Sequence, residues 1–125
     1  MERHRPSHAL WHINAKYSEL QQVGPPQHSA NLCRVIARYS LISTGTERLV
    51  CSGLVDESLQ QIMAVPYMQG SFALPILYGY GMVGHTDDHK AVHLMHPHQT
   101  VAYVRFEDLF FLRYFFFDPP EVVPH

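Results

Sequence analysis

The chain has 125 residues, 46% hydrophobic and 16% charged, which suits one folded domain with its own core and excludes a disordered segment. Nine basic and eleven acidic residues give a formal charge of −2, and the longest basic run is Arg3-His4-Arg5, so the footprint of a nucleic-acid binder is absent. No stretch approaches the roughly 20 apolar residues of a membrane span, and MERHRPSHAL has no apolar signal core. The two cysteines, Cys33 and Cys51, therefore read as reduced thiols of a cytoplasmic protein.

In chain order, ALWHINA (9–15) and YSELQQV (17–23) are strand-like and separated by a single residue, which predicts a hairpin. Gly24-Pro25-Pro26 stops the second strand, because proline cannot donate to a ladder. Residues 30–43 form the longest β-like run, with Cys33, Val35, Ala37, Tyr39 and Leu41 on one face and Arg34, Arg38 and Ser40 on the other. In STGTERLVCSG (43–53), Thr44 or Thr46 is positioned to cap a helical turn over 47–51 that Gly53 ends. DESLQQIMA (56–64) predicts a second helix, with Asp56 as N-cap, Leu59, Ile62 and Met63 at helical spacing, and Pro66 as its stop.

SFALPILYGYGMVG (71–84) is apolar, and its glycines at 79, 81 and 84 imply a bent strand or a close backbone approach. HTDDHK (85–90) reads as a polar turn between that strand and AVHLM (91–95). QTVAYVRF (99–106) is a further strand. Many short strands, little helix and glycine corners favour a mainly-β fold, a small and partly open barrel, over a parallel α/β fold. The expected organisation is a tail over 1–8, a β domain over 9–109 and an aromatic, proline-rich tail over 110–125.

Ten histidines are an unusual number, and three fall within AVHLMHPHQT (91–100). On an extended strand His93 and His96 face opposite sides, and Pro97 interrupts the geometry between His96 and His98. No cysteine or carboxylate lies nearby in sequence to complete a tetrahedral set; Asp87 and Asp88 would have to fold back, and His85 and His89 suit a solvated turn. No metal site is therefore expected. The chain also lacks a Gly-x-Gly-x-x-Gly turn opening a long helix, a P-loop lysine, a Gly-x-Ser-x-Gly elbow and a Cys-x-x-Cys pair.

The order of LISTGTERLV, a helical insert, LPILYGYGMVG and HLMHPHQTVAYV, over about residues 9–106, resembles the N-terminal GroES-like domain of medium-chain alcohol dehydrogenases. The likeness is to zinc-lacking oxidoreductases with Ser-x-Gly-Thr-Glu, Tyr-Gly-Tyr and His-Pro-His-Gln motifs. In zinc-dependent relatives the first segment reads Cys-Gly-Thr-Asp and its cysteine binds zinc; here Thr44-Gly45-Thr46-Glu47 stands in that place. The second ligand belongs to a Gly-His-Glu motif, replaced here by Gly79-Tyr80-Gly81. Hydroxyl and phenol are poor zinc ligands beside thiolate and imidazole, and the four-cysteine structural lobe is missing too.

The resemblance implies a polar pocket lined by Thr44, Thr46, Glu47, Tyr80 and His96, in which a hydroxyl or phenol positions or protonates a small carbonyl or alcohol substrate. Each residue also has a structural reading: Thr46 and Glu47 as helix cap and first-turn charge, Tyr80 as a packed aromatic, His93 as a strand residue. NAD(P) is expected only if a Rossmann domain is supplied elsewhere, so this chain reads as a catalytic-domain fragment, inactive alone. The alternative is a non-catalytic binding or scaffold module. Phe110, Phe111, Tyr114, Phe115, Phe116 and Phe117 form an aromatic cluster that packs on the domain, meets a cofactor-domain partner or joins a second copy.

Overall fold

The computed structural model describes residues 7–24, 29–68 and 72–112. Strands β1 (Ser7–Asn14) and β2 (Tyr17–Val23) form the expected antiparallel hairpin, in which Lys16 N–H donates to Asn14 Oδ1 at 2.9 Å across the tight turn. Ser7 and His8, expected in the leading tail, belong to β1. Strand β3 (Cys33–Ser40) is followed by two helices, α1 (Thr44–Cys51) and α2 (Glu57–Met63), and then by β4 (Ile76–Leu77) and β5 (Gly79–Thr86). Strands β6 (Ala91–Pro97), β7 (Val101–Val104) and β8 (Phe110–Phe111) complete the described fold.

The strands build two antiparallel sheets, one in the order β2-β1-β4 and one in the order β7-β3-β5-β6-β8. Among the described residues the protein is mainly β with two short α-helices, and the sheets do not close into a barrel. They are joined along the segment between β6 and β7. There Leu10 N–H donates to His98 O at 3.0 Å, His98 N–H to Tyr78 O at 2.8 Å and Thr100 N–H to His8 O at 2.8 Å. Both backbone groups of His98 are used in this joint, which holds its main chain in place.

Two separate apolar clusters are buried. Val35, Met82, Val92, Leu94, Ala102 and Val104 pack under the five-stranded sheet. Val50, Val55, Val65, Phe72, Ile76 and Tyr78 pack between the helices and β4. Full burial of each large aliphatic side chain contributes about 1.5–3 kcal/mol, so these clusters carry most of the apolar driving force.

The alternation expected along the long strand holds only in part. Val35 is fully buried and Ala37 partly, but Tyr39 and Leu41 are exposed. A bulge between Ala37 and Tyr39 in the pairing with β5 breaks the period of two and turns the following side chains outward. In α1 the N-cap is Ser43 rather than Thr44 or Thr46; its carbonyl accepts the first helical bond from Glu47 N–H at 2.8 Å, and Gly53 takes φ +72° just past the end. In α2 Asp56 is the N-cap, but Leu59 and Ile62 are exposed and only Met63 of the three expected apolar positions reaches the core. Extended backbone at Ala64 ends the helix, ahead of the buried Val65 and Pro66.

The glycines of β5 meet the close approach their spacing implied. A Cβ on Gly79 would lie 2.2 Å from His96 O, and one on Gly84 would lie 2.2 Å from Ile36 O and 3.0 Å from Ala37 Cα. These contacts are backbone, which a rotamer change cannot relieve. The 85–90 turn is closed by Thr86, whose hydroxyl donates to Asp88 at 2.5 Å and accepts from Lys90 N–H at 3.1 Å. The aromatic cluster beyond Phe111 lies outside the described residues. No helix among the described residues is long and apolar enough to cross a membrane.

Gly84→Ala is expected to destabilise the fold by about 3 kcal/mol, a fall in Tm on the order of 10 °C. Gly24→Ala, which meets nothing within 4 Å, should leave Tm within a degree or two. Thermal unfolding followed by circular dichroism reads both.

Candidate functional site

Where the two sheets and α1 meet, five side chains form one hydrogen-bonded chain around Glu47. The first turn of α1 points Glu47 inward, and its carboxylate receives an imidazole on each oxygen. His12 Nε2 lies 2.7 Å from Oε1 and His98 Nε2 lies 2.6 Å from Oε2. Both histidines are buried, each 6% exposed. Their far nitrogens are also engaged: His12 Nδ1 with Ser18 Oγ at 2.8 Å, and His98 Nδ1 with Ser40 Oγ at 2.6 Å. The order is Ser18–His12–Glu47–His98–Ser40, drawn from β2, β1, α1, the β6–β7 connection and β3.

The chemistry of the groups fixes the proton positions. An ionised carboxylate only accepts, so both Nε2 atoms donate to it. On neutral rings both Nδ1 atoms then accept, and each serine hydroxyl donates. Burial pushes the Glu47 carboxyl upward, but hydrogen bonds from His12 and His98, and any positive charge on those rings, outweigh it and hold the group at about 2 instead of 4.5. Nearby, the Tyr78 phenol is raised by burial first and then by the negative charge of Glu47, and its hydroxyl donates to Met63 O at 2.6 Å.

The residues expected in the pocket separate. Glu47 is the centre of the array. Thr44 opens α1, and Thr46 sits one position before Glu47 with its hydroxyl 3.3 Å from Ser43 Oγ, so neither joins the histidines. Tyr80 is 38% exposed on β5 and stands opposite His96 in the ladder. His96 belongs to another cluster. It is buried, its Nδ1 donates to Pro97 O at 2.9 Å, and it stacks on Tyr67 with ring centroids 5.4 Å apart. Burial lowers its pKa and the Pro97 carbonyl only partly offsets this, which favours the neutral ring. Tyr67 in turn donates to Asp108 and accepts from Arg105 N–H at 2.9 Å.

Pro97 therefore separates two histidines with different partners. Sequence reasoning selected His96 and missed His98, His12, Ser18 and Ser40. One signal was available for part of it: in a tight hairpin over 9–23, His12 falls opposite Ser18, as the register has it. Nothing local marks Glu47 as the partner of residues 35 and 51 positions away.

Among the described residues no group of three or more His, Cys, Asp or Glu side chains is placed to hold a metal ion. The imidazoles of His12 and His98 approach the carboxylate at hydrogen-bond distance, leaving no space between them for an ion. Cys33 and Cys51 are both free thiols. Comparison with family models, curated proteins and solved structures returns no match.

The depressed carboxyl gives a signed pH dependence. In the unfolded chain Glu47 takes up its proton near 4.5, and in the folded chain near 2. Between those values the unfolded state binds more protons, so the stabilisation is present above about 4.5 and is lost as pH falls toward 2. Glu47→Gln should cost about 2 kcal/mol at neutral pH, because its amide sets a donor against an imidazole N–H. It should also flatten the stability profile across that acid window. Urea unfolding at a series of pH values measures both effects.

Proposed function

We propose that the chain is the GroES-like, substrate-side domain of a zinc-independent, NAD(P)-dependent oxidoreductase acting on small carbonyl or alcohol compounds. The supporting observation is the bond between Glu47 of Thr44-Gly45-Thr46-Glu47 and His98 of His96-Pro97-His98-Gln99, 2.6 Å long. Two of the three motifs that carry the resemblance, about 50 residues apart in sequence, thereby meet in one buried polar array. The third supplies Tyr80, directly across the ladder from His96. By that resemblance Thr44 and Tyr80 stand where zinc-dependent members of the family carry ligands, and hydroxyl and phenol are poor ligands for zinc.

In this reading the Glu47–His98 pair orients and exchanges protons at the substrate end, which is acid–base work worth about 10²–10⁴ in rate. A nicotinamide does not fit this chain alone, since it has no phosphate-cradling glycine turn, so a second domain holds the cofactor. The purified chain should show no NAD(P)H oxidation with a panel of aldehydes and ketones. Turnover should appear when it is joined to a nicotinamide-binding domain encoded in the same or an adjacent frame, and Glu47→Gln should lower kcat there by about 10²-fold. Turnover by the chain alone, or a Glu47→Gln complex at full rate, would overturn the reading.

A second reading, a binding or scaffold module, is favoured by one observation: Phe106, Phe110 and Phe111 are 64%, 63% and 45% exposed, and Phe106 and Phe111 lie against each other with ring centroids 5.5 Å apart. Adjacent exposed aromatics suit an association surface. Light scattering should then show self-association that Phe110→Asp weakens; a monomer at all concentrations, with no effect of the substitution, argues against it.

A further inference from the structure

Ser40, an exposed residue, closes β3, and its Oγ lies 2.6 Å from His98 Nδ1. His98 Nε2 lies 2.6 Å from Glu47 Oε2. With the carboxylate accepting from Nε2–H, Nδ1 is the free base of the ring and faces a serine hydroxyl. Hydroxyl, imidazole and buried carboxylate in that order are what a nucleophilic serine requires, and both distances fall in the reach that proton transfer needs, about 2.6–3.2 Å. The two ring nitrogens are exchanged relative to the usual serine-protease arrangement, which changes the ring's orientation but not its acid–base role.

The surroundings distinguish this end of the array from the other. Ser40 and His98 both line a cavity of about 210 Å³, whose lining also includes the apolar Leu10 and Leu20 and the polar Gln99 and Thr100. Ser18, bonded to His12 at the far end, does not line it. A cavity of this size, below the roughly 300 Å³ of drug-sized sites, suits a short acyl group.

We propose that Ser40 is a nucleophile that accepts the acyl group of a small ester, with His98 as its general base and Glu47 as a positioning residue. Ser40 Oγ adds to the carbonyl carbon as its proton passes to His98 Nδ1. The carbon–alkoxide bond then breaks, and the departing alkoxide takes that proton. Water, activated by the same nitrogen, adds to the acyl-serine, and the bond to Oγ breaks as the proton returns to it. One ester and one water give one acid and one alcohol, with no change of oxidation state. No nicotinamide is involved, so this activity and the oxidoreductase reading can fail independently.

The test is incubation of the full chain with p-nitrophenyl acetate, following p-nitrophenolate release and mapping acetylated residues by peptide mass spectrometry. Acetyl on Ser40 is the expected result, with Ser40→Ala folding normally and releasing p-nitrophenolate about 10²-fold more slowly. Glu47→Asp should recover part of the rate that Glu47→Gln loses, which a purely structural role for Glu47 would not produce. Acetyl found only on lysines, on Ser18 or on an imidazole, or an unchanged rate in Ser40→Ala, overturns the proposal. Mapping on the unsubstituted protein decides the matter even if His98→Ala does not fold.

Discussion

A carboxylate taken out of water must be given charge-assisted donors or it will protonate, and Glu47 is given two. Hydrogen bonds to a charged group contribute about 1.5–3 kcal/mol each, and here they come from imidazoles on separate parts of the fold. His12 arrives from the hairpin sheet, His98 from the joint between the sheets, and Glu47 from α1. The two apolar clusters are distinct, one under the five-stranded sheet and one between the helices and β4, so this polar array is a tie between units that hydrophobic burial holds separately. Removing the carboxylate leaves two buried imidazoles without their acceptor, so the position of α1 against both sheets depends on it.

The backbone prepares the array before the side chains complete it. His98 has its N–H bonded to Tyr78 O and its carbonyl accepting from Leu10, which pins the segment after Pro97 in place. Gly79 allows the opposite strand to approach within contact of His96 and Pro97, where any Cβ would collide. Pro97 ends β6, and the histidines on either side of it go to different clusters: His96 to the Tyr67 ring, His98 to Glu47. Of the two serines bonded to His12 and His98, Ser40 is the one that lines the cavity beside His98.

Much of the fold was legible because its causes are local. The hairpin over residues 9–23, the turn at 85–90 and the start of α2 after Asp56 follow from turn chemistry and alternation within a few residues. The misreadings are local too, but with non-local causes. Tyr39 and Leu41 follow the alternation of β3 on paper, yet a bulge set by pairing with β5 exposes them. Leu59 and Ile62 have helical spacing, but among the described residues neither is packed into a core cluster, and both are exposed.

The site divides in the same way. Sequence alone identified a mainly-β chain with short helices and selected Glu47, because an acidic residue directly after Thr-Gly-Thr at the start of a short helix is a chemical signal readable in place. It also made His-Pro-His-Gln a place to look. Which histidine of that motif meets Glu47, and that His12, Ser18 and Ser40 complete the chain, was decided only by the tertiary structure. The physical reason is distance along the chain: the bonds that define the array join residues 35, 51 and 58 positions apart, and periodicity carries no information over such separations.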